Sequence, residues 1–201
     1  MDLKLQEIKK EAEENNVPIM MDGGIEFLIQ YIKDHKEIKH ILEAGTAVGY
    51  SAINMAKIRN DIEVDTCEIN EEMYKQALIN IEEEGLSERI HVHLIDAVKY
   101  EPDHIYDLFF IDAAKAQYRR YTEHYLQYAK KGSVFVFDNL NFHGIVDDPS
   151  ITHNRSTRQM VHKIKIIRDW IQEDERFDTT FYKEIGDGVA VAIYLGTSLP
   201  I

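Results

Sequence analysis

The sequence is poor in the features that mark secreted, disulfide-rich and membrane-spanning proteins. It has 1 cysteine and 4 prolines in 201 residues. A lone cysteine, Cys67, excludes a disulfide within the chain and is typical of a reducing compartment. No stretch approaches the ~20 uncharged apolar residues that cross a bilayer, and the amino-terminal stretch MDLKLQEIKKEAEEN is charged throughout. We therefore expect a cytoplasmic protein with no membrane partner.

Basic residues are also scarce, with 23 Lys and Arg against 36 Asp and Glu and a net charge of −13. Such a balance argues against a nucleic-acid partner, because affinity for phosphates comes largely from Lys and Arg. The charges are unevenly distributed, however: residues 115–168 carry +6 and the remainder of the chain −19. That segment could face a polyanion, or it could simply be the solvated face of helices.

The bulk composition is that of an ordinary globular protein, with 44% hydrophobic and 29% charged residues. The length suits a single domain with a full core. We find no internal repeat, low-complexity tract or linker, so we expect one domain over residues 1–201, with helices in residues 1–36 covering the cofactor end of a sheet.

Helical and strand patterns alternate along most of the chain. The predicted helices cover residues 3–15, a stretch that begins with Asp22 as N-cap, and residues 51–59, 71–84, 115–130 and 156–173. The predicted strands cover residues 38–43, 62–67, 90–95, 107–111, 133–137, 178–184 and 188–195. This order predicts an α/β fold with a mostly parallel sheet, helices on both faces and an antiparallel hairpin at the carboxyl-terminal end.

A glycine-containing loop follows the first strand, in the stretch EAGTAVGYS from Glu43 to Ser51. A strand, a glycine turn and a helix start are how α/β proteins bring backbone amides to a nucleotide-like cofactor. Gly45 and Gly49 allow a sharp turn and a close approach. The loop alone is a weak signal, because it lacks the G-x-G-x-x-G spacing of dinucleotide sites.

Acidic side chains stand at the ends of the first five predicted strands, and these are Glu43, Glu68, Asp96, Asp112 and Asp138, the last followed by Asn139. Ligands of open parallel sheets bind outside the carboxyl ends of the strands. Asp and Asn also start turns and cap helices for local reasons, and for Asp96 alone that reading is preferred. For the whole set we favour a binding site.

Glu68 is placed to accept hydrogen bonds from two ribose hydroxyls, which indicates an adenosine-containing cofactor. The short glycine loop favours a ligand without a pyrophosphate. S-adenosylmethionine is such a ligand, and its amino-acid end needs backbone amides and a hydroxyl such as that of Ser51.

Asp112, Asp138 and Asn139 offer oxygen ligands from the ends of adjacent strands. Oxygen donors without histidine or sulfur suit Mg²⁺, or else Mn²⁺ or Ca²⁺. Lys115 would lie beside such an ion, where a lysine loses its proton more readily and can act as a base. Without the metal, Lys115 is better read as a surface residue of a helix's first turn.

Five stretches together resemble the cation-dependent O-methyltransferases, which include catechol and caffeoyl-CoA methyltransferases. The stretches are EAGTAVGYSA, CEIN, FFIDAAKAQY, FDNLNFHG and GDGVAVA. VPIM, IDAAKAQY and RSTRQMVHKIKIIRDWI are most similar to bacterial tRNA methyltransferases that act on 5-hydroxyuridine at the wobble position. The resemblance covers nearly the whole chain and implies a Rossmann-like class I methyltransferase fold with a seven-stranded sheet.

The resemblance also implies roles for individual residues. Cofactor contacts would fall on Met20, Glu43, Gly45, Ser51, Glu68, Asp96 and Asp112; metal ligands on Asp112, Asp138 and Asn139; and catalysis on Lys115 and Asp112. It further implies a homodimer and binding of a tRNA anticodon loop through Lys and Arg of residues 115–168. The chain departs from the family in having Ile95 where relatives have glycine, and in beginning late relative to them.

The expected activity is Mg²⁺-dependent transfer of a methyl group from S-adenosylmethionine to the 5-hydroxyl of 5-hydroxyuridine in tRNA, giving 5-methoxyuridine. One alternative is a methyltransferase for small catechol-like substrates, which the net charge of −13 favours. A second is a non-catalytic, RNA-associated module that binds the cofactor. A nicotinamide dehydrogenase is disfavoured by the loop spacing.

Overall fold

The computed structural model describes residues 3–196. Within that range the helices are α1 (Leu3–Glu14), α2 (Asp22–Asp34), α3 (Tyr50–Ala56), α4 (Glu71–Glu83), α5 (Tyr118–Tyr125) and α6 (Arg155–Glu173). The strands are β1 (His40–Ala44), β2 (Glu63–Glu68), β3 (Ile90–Leu94), β4 (Tyr106–Ile111), β5 (Ala129–Phe137), β6 (Phe177–Tyr182) and β7 (Val189–Tyr194). Short 3₁₀ turns flank several of these elements.

One sheet of seven strands, in the order β3-β2-β1-β4-β5-β7-β6, organises the described part of the chain. The strands from β3 to β5 pair in parallel, whereas β7 is antiparallel to both β5 and β6. The strand order reverses between β1 and β4, so the carboxyl ends of these strands form the crevice in which α/β sheets bind ligands. The predicted α/β class, the mostly parallel sheet and the final hairpin are confirmed.

The sheet is covered on both faces by apolar side chains of helices. Buried residues of α1 to α4 pack with Ile41, Val64 and Phe110 on one face. Buried residues of α5 and α6 pack with Phe109 and Phe135 on the other. All six positions of β4 are buried, as expected for a central strand with helices on both sides. None of the described helices is long and apolar enough to cross a membrane.

Two local predictions were wrong. The helix predicted for residues 115–130 is a 3₁₀ turn (Lys115–Gln117) followed by α5, and β5 begins at Ala129 with Gly132 inside the strand. Gly132 has φ +91° and an unobstructed Cβ direction, so it bends the strand start without ending a helix. Asp22 is not the N-cap of α2: Met21 holds that position, and the Asp22 carboxylate pairs with Lys9 at 2.5 Å.

Candidate functional site

A cavity of about 450 Å³ opens at the carboxyl ends of β1, β2 and β4. Its walls include the glycine loop after β1, the ends of β2 and β3, the start of the segment after β4, and Pro18 and Ile19 from the link between α1 and α2. The size and position suit a small nucleoside-containing ligand. The link between the first two helices therefore forms part of the cavity wall at the carboxyl ends of these strands.

Gly45 sits where the glycine loop crosses the end of β4. Its φ is +104°, and a Cβ at this position would lie 2.2 Å from the backbone oxygen of Asp112. No side chain fits such a contact, so glycine is required for the loop to approach the next strand. Gly49, with φ +84°, then starts α3, whose first residues face the cavity.

Glu43 lies behind the loop, fully buried within β1. Ser51 donates its hydroxyl to one carboxylate oxygen, and Thr66 donates to the other at 2.6 Å. Burial raises the pKa of Glu43 to about 8, although the two hydroxyl donors oppose the shift. Glu43 thus fixes Ser51, which does line the cavity.

Glu68, at the end of β2, lines the cavity and ties the glycine loop to β2. One carboxylate oxygen accepts the Ala47 amide at 2.9 Å, and the other accepts the amides of Ile69 and Asn70, both at 2.8 Å. These hydrogen bonds hold the carboxylate in the cavity wall. Its remaining lone pairs could accept hydrogen bonds from ribose hydroxyls.

Asp112, Asp138 and Asn139 converge at the ends of β4 and β5. The Asn139 side-chain amide donates to Asp138 at 3.0 Å and lies 3.4 Å from Asp112, and its backbone amide donates to Asp138 at 2.7 Å. Asn139 has φ +61°, which is uncommon for a residue other than glycine. Strain of this kind concentrates at functional sites.

Asp138 is buried and Asp112 is partly buried in the cavity wall, so both carboxylates have limited access to water. Burial and then the negative charge of Asp112 raise the pKa of Asp138, and burial raises the pKa of Asp112. The Lys115 ammonium opposes both shifts. Lys115 therefore lies close to the pair, in the turn that follows β4, and it also lines the cavity.

A divalent cation fits this donor set. Two like charges in a buried site repel each other, and a bound cation would relieve that repulsion. The ligands would be the carboxylate oxygens of Asp112 and Asp138 and the side-chain oxygen of Asn139, whose amide nitrogen faces the two carboxylates in this structure; oxygen ligands are those that Mg²⁺ prefers. Among the described residues no cluster of three His, Cys, Asp or Glu side chains could hold a metal, so this site reaches three ligands only by including Asn139.

The remaining predicted residues divide by position. Lining the cavity are Gly45, Ser51, Glu68, Asp96, Asp112, Lys115 and Asn139, whereas Met20, Glu43 and Asp138 lie outside that wall. Met20 is buried, with its side chain against Gly24. Asp96 caps the 3₁₀ turn Ala97–Lys99 by accepting the Val98 amide at 3.2 Å, so its local role and its place in the wall coexist.

Sequence reasoning assigned no role to several wall residues, although Tyr50, Ile69 and Gln117 lie within the stretches that resemble the family. Tyr50, Gln117 and Tyr121 line the cavity, as does Ile69, whose side chain is 75% exposed. Ile69 carried a usable signal, because it is an apolar residue directly after Glu68 at the carboxyl end of a strand. Tyr121 could not be found, since it reaches the cavity from α5 across the sheet end.

Comparison with known proteins identifies the family. Residues 2–195 match the O-methyltransferase family. The chain belongs to that family. It is 27% identical over 82% of its length to a catechol O-methyltransferase of Niastella koreensis, covering 77% of that protein. A caffeoyl-CoA O-methyltransferase of Stellaria longipes is 25% identical over 92% of the chain and 80% of its own length.

Solved structures of O-methyltransferases are similar over almost the full chain. A candidate caffeoyl-CoA O-methyltransferase of Staphylococcus aureus has a TM-score of 0.88 at 34% identity, with 94% of this chain and 91% of that one covered. An O-methyltransferase of Bacillus cereus in complex with S-adenosylhomocysteine has a TM-score of 0.79 at 25% identity, with 96% and 91% covered.

Proposed function

We propose that the protein is a divalent-cation-dependent O-methyltransferase that methylates the 5-hydroxyl of 5-hydroxyuridine at the wobble position of tRNA. The observation that carries the chemistry is the convergence of Asp112, Asp138 and Asn139 beside a cavity that Lys115 also lines. When bound there, a Mg²⁺ ion supplies Lewis-acid chemistry to a substrate with two neighbouring oxygens.

The protein's own residues would orient the reactants. Gly45, Ser51 and Glu68 would hold S-adenosylmethionine, the methyl donor, along the cavity wall. As the neutral amine, Lys115 would take the proton of the reacting hydroxyl at its Nζ atom, and the ammonium so formed would stabilise the oxyanion. Alignment of the oxyanion with the methyl group would supply much of the rate.

5-Hydroxyuridine suits this site for a chemical reason. Its 5-hydroxyl and 4-carbonyl oxygens are neighbours, as are the two oxygens of a catechol. A wobble base lies in a single-stranded loop, so extracting it costs less than flipping a base out of a duplex.

Charge near the cavity supports an RNA partner. Arg119 and Arg120 line an open groove beside the cavity, and Arg120 donates to Gln117 of the cavity wall at 2.6 Å. Arg155 and Lys163 are exposed on α6. Arg168 is a poorer candidate for a phosphate contact, because it pairs with Asp147 at 2.8 Å and its side chain is only 11% exposed.

The test compares tRNA carrying 5-hydroxyuridine with the free nucleoside. Methylation of the tRNA should need Mg²⁺ and fall steeply with added salt, whereas methylation of the nucleoside should respond little to salt. Arg119→Gln with Arg120→Gln should reduce the salt slope for tRNA by about 1 for each phosphate contact removed, and Lys10→Gln on α1 is the control. Equal salt responses for tRNA and nucleoside would reject the tRNA substrate.

A small-molecule substrate is the second candidate, favoured by the net charge of −13 and the similarity to a catechol O-methyltransferase. Nucleoside mass spectrometry of tRNA from cells with and without the gene separates the two. Loss of 5-methoxyuridine with accumulation of 5-hydroxyuridine, not rescued by Asp138→Ala, supports the tRNA substrate. An unchanged nucleoside profile supports the small molecule.

A further inference from the structure

The turn between β6 and β7 is bonded to the loop that follows β5. Gly188 accepts the Leu140 amide at 2.8 Å through its backbone oxygen, and Asp187 accepts the Asn141 amide at 2.7 Å in the same way. The Asp187 carboxylate accepts the His143 amide at 2.5 Å. These hydrogen bonds fix the positions of the residues directly after Asn139.

The Asp187 side chain is buried where the turn meets the loop. It is 6% exposed, and its carboxylate lies 3.8 Å from the His143 imidazole in addition to its bond with the His143 amide. A buried carboxylate needs such donors, because an unpartnered one is costly. The bond therefore fixes the loop and satisfies the carboxylate together.

The loop needs support from outside itself. Asn139, Phe142 and His143 have φ values of +61°, +45° and +54°, in the left-handed region that side chains disfavour. In the absence of other contacts these residues would prefer conformations with negative φ. Contacts from elsewhere in the fold must therefore hold them.

The turn is itself held from the opposite side. A Cβ on Gly186 would lie 3.1 Å from the Cα and N atoms of Gly24, so the turn packs backbone to backbone against α2. A Cβ on Gly188 would lie 2.6 Å from the Asn141 Cβ. The turn thus contacts both α2 and the loop, with little space for a side chain at Gly186 or Gly188.

We propose that Asp187 is a positioning residue for the metal site, holding the loop after β5 so that Asn139 stays aligned with Asp112 and Asp138. The proposal rests on the divalent-cation site of the proposed function. It assigns Asp187 no contact with substrate or cofactor. Outer residues that orient metal ligands typically change metal affinity by about 10–100-fold when removed.

The experiment measures Mn²⁺ binding by electron paramagnetic resonance in the full chain. Asp187→Ala should raise the Mn²⁺ dissociation constant about 10–100-fold. Asp187→Asn should bind almost as the unaltered protein does, because its amide oxygen still accepts the His143 amide. Asp178→Ala, an exposed position on β6, is the matched control and should change nothing.

Further readouts separate positioning from general destabilisation. S-adenosylhomocysteine affinity should change far less than Mn²⁺ affinity in Asp187→Ala. In the unaltered protein the His143 amide should exchange slowly with deuterium, and more slowly still with Mn²⁺ bound; this measurement stands even if Asp187→Ala does not fold.

The failures are distinguishable. If the unaltered protein binds no Mn²⁺, the metal site fails and this inference fails with it. If Mn²⁺ binds the unaltered protein and Asp187→Ala equally, or if the His143 amide exchanges at an unprotected rate, only the role of Asp187 is overturned.

Discussion

Gly45 occupies a position that side chains cannot share. We expect Gly45→Ala to destabilise the fold by more than about 2 kcal/mol and to abolish S-adenosylhomocysteine binding, because its Cβ would lie 2.2 Å from the Asp112 oxygen. Urea unfolding and calorimetric titration measure the two effects. Gly85→Ala is the control: it has φ +67° but open space around its Cβ, so its cost should be about 1 kcal/mol. Equal costs at the two positions would contradict the steric argument.

Titration of Glu43 makes the stability of the ligand-free protein depend on pH. Burial raises its pKa to about 8, above the ~4.3 of an unfolded chain, so the folded state holds a proton that the unfolded state releases. Stability should therefore fall as the pH rises from about 5 to 8. Glu43→Gln should lose less stability over that range in urea unfolding, and the exposed Glu88→Gln should follow the unaltered protein. Parallel pH curves for Glu43→Gln and the unaltered protein would refute this.

Residue positions in the site were predictable where one strand end determines them. Glu68 ends β2, Asp112 directly follows β4, and Asn139 is the second residue after β5. The sequence therefore placed them at one edge of the sheet, and all three line the cavity. Met20 and Asp187 were not predictable in the same way. Their surroundings come from α2 and from the turn between β6 and β7, which only the folded chain brings together.

At the scale of elements, Asp65 joins β2, β3 and β4 through one carboxylate. It accepts the Tyr106 hydroxyl at 2.9 Å and the Tyr100 hydroxyl at 3.1 Å, and it lies 2.7 Å from the His93 imidazole. Burial alone would raise the pKa of Asp65, but these partners outweigh burial and lower it. The cluster therefore links three strands of the sheet through side-chain hydrogen bonds.

Two buried tyrosines test this cluster. Tyr106→Phe should cost about 1–3 kcal/mol in urea unfolding, because it removes a donor to a buried charge. Tyr125 is equally buried, yet its hydroxyl has no hydrogen-bond partner within residues 3–196. Tyr125→Phe should therefore be neutral or stabilising. A cost for Tyr125→Phe as large as that for Tyr106→Phe would show that the Asp65 bond contributes little.

Helices and strands were predicted well where the apolar periodicity was uninterrupted. They were predicted poorly where the choice between helix and strand depended on a glycine or a tyrosine. The alternation of helical and strand patterns up to β4 allows one interpretation. Every position of β4 is buried, as that interpretation requires. Residues 126–132 read equally well as a helix end with a glycine stop. The choice of strand depends on Ala129 pairing with Tyr106 of β4, and no local pattern reveals such a pairing.

For the whole molecule, acidic pH should bring a second loss of stability. Partners in the folded state hold the pKa below its usual value for Asp65, Asp107, Glu123, Asp147 and Asp174. A depressed pKa contributes stability that is present above the unfolded value of about 4 and is lost as the pH falls through the folded value. Urea midpoints should therefore drop below about pH 4.

The acid loss and the loss attributed to Glu43 together predict a stability maximum at mildly acidic pH for the ligand-free protein. Circular dichroism during urea titration across the pH range measures it. Asp65→Asn should reduce the loss of stability at acidic pH. It should leave the loss of stability at higher pH unchanged. The homodimer remains a prediction, and sedimentation of the purified protein tests it.

Because the turn that packs on Gly24 of α2 lies near the carboxyl-terminal end of the chain, we expect the enzyme to become active only late in its synthesis. A nascent chain whose α2 has already emerged still has no surface to receive the loop after β5 until residues 186–188 have left the ribosome. Ribosome-bound chains stalled before that point should thus fold much of the sheet while showing no methyl transfer.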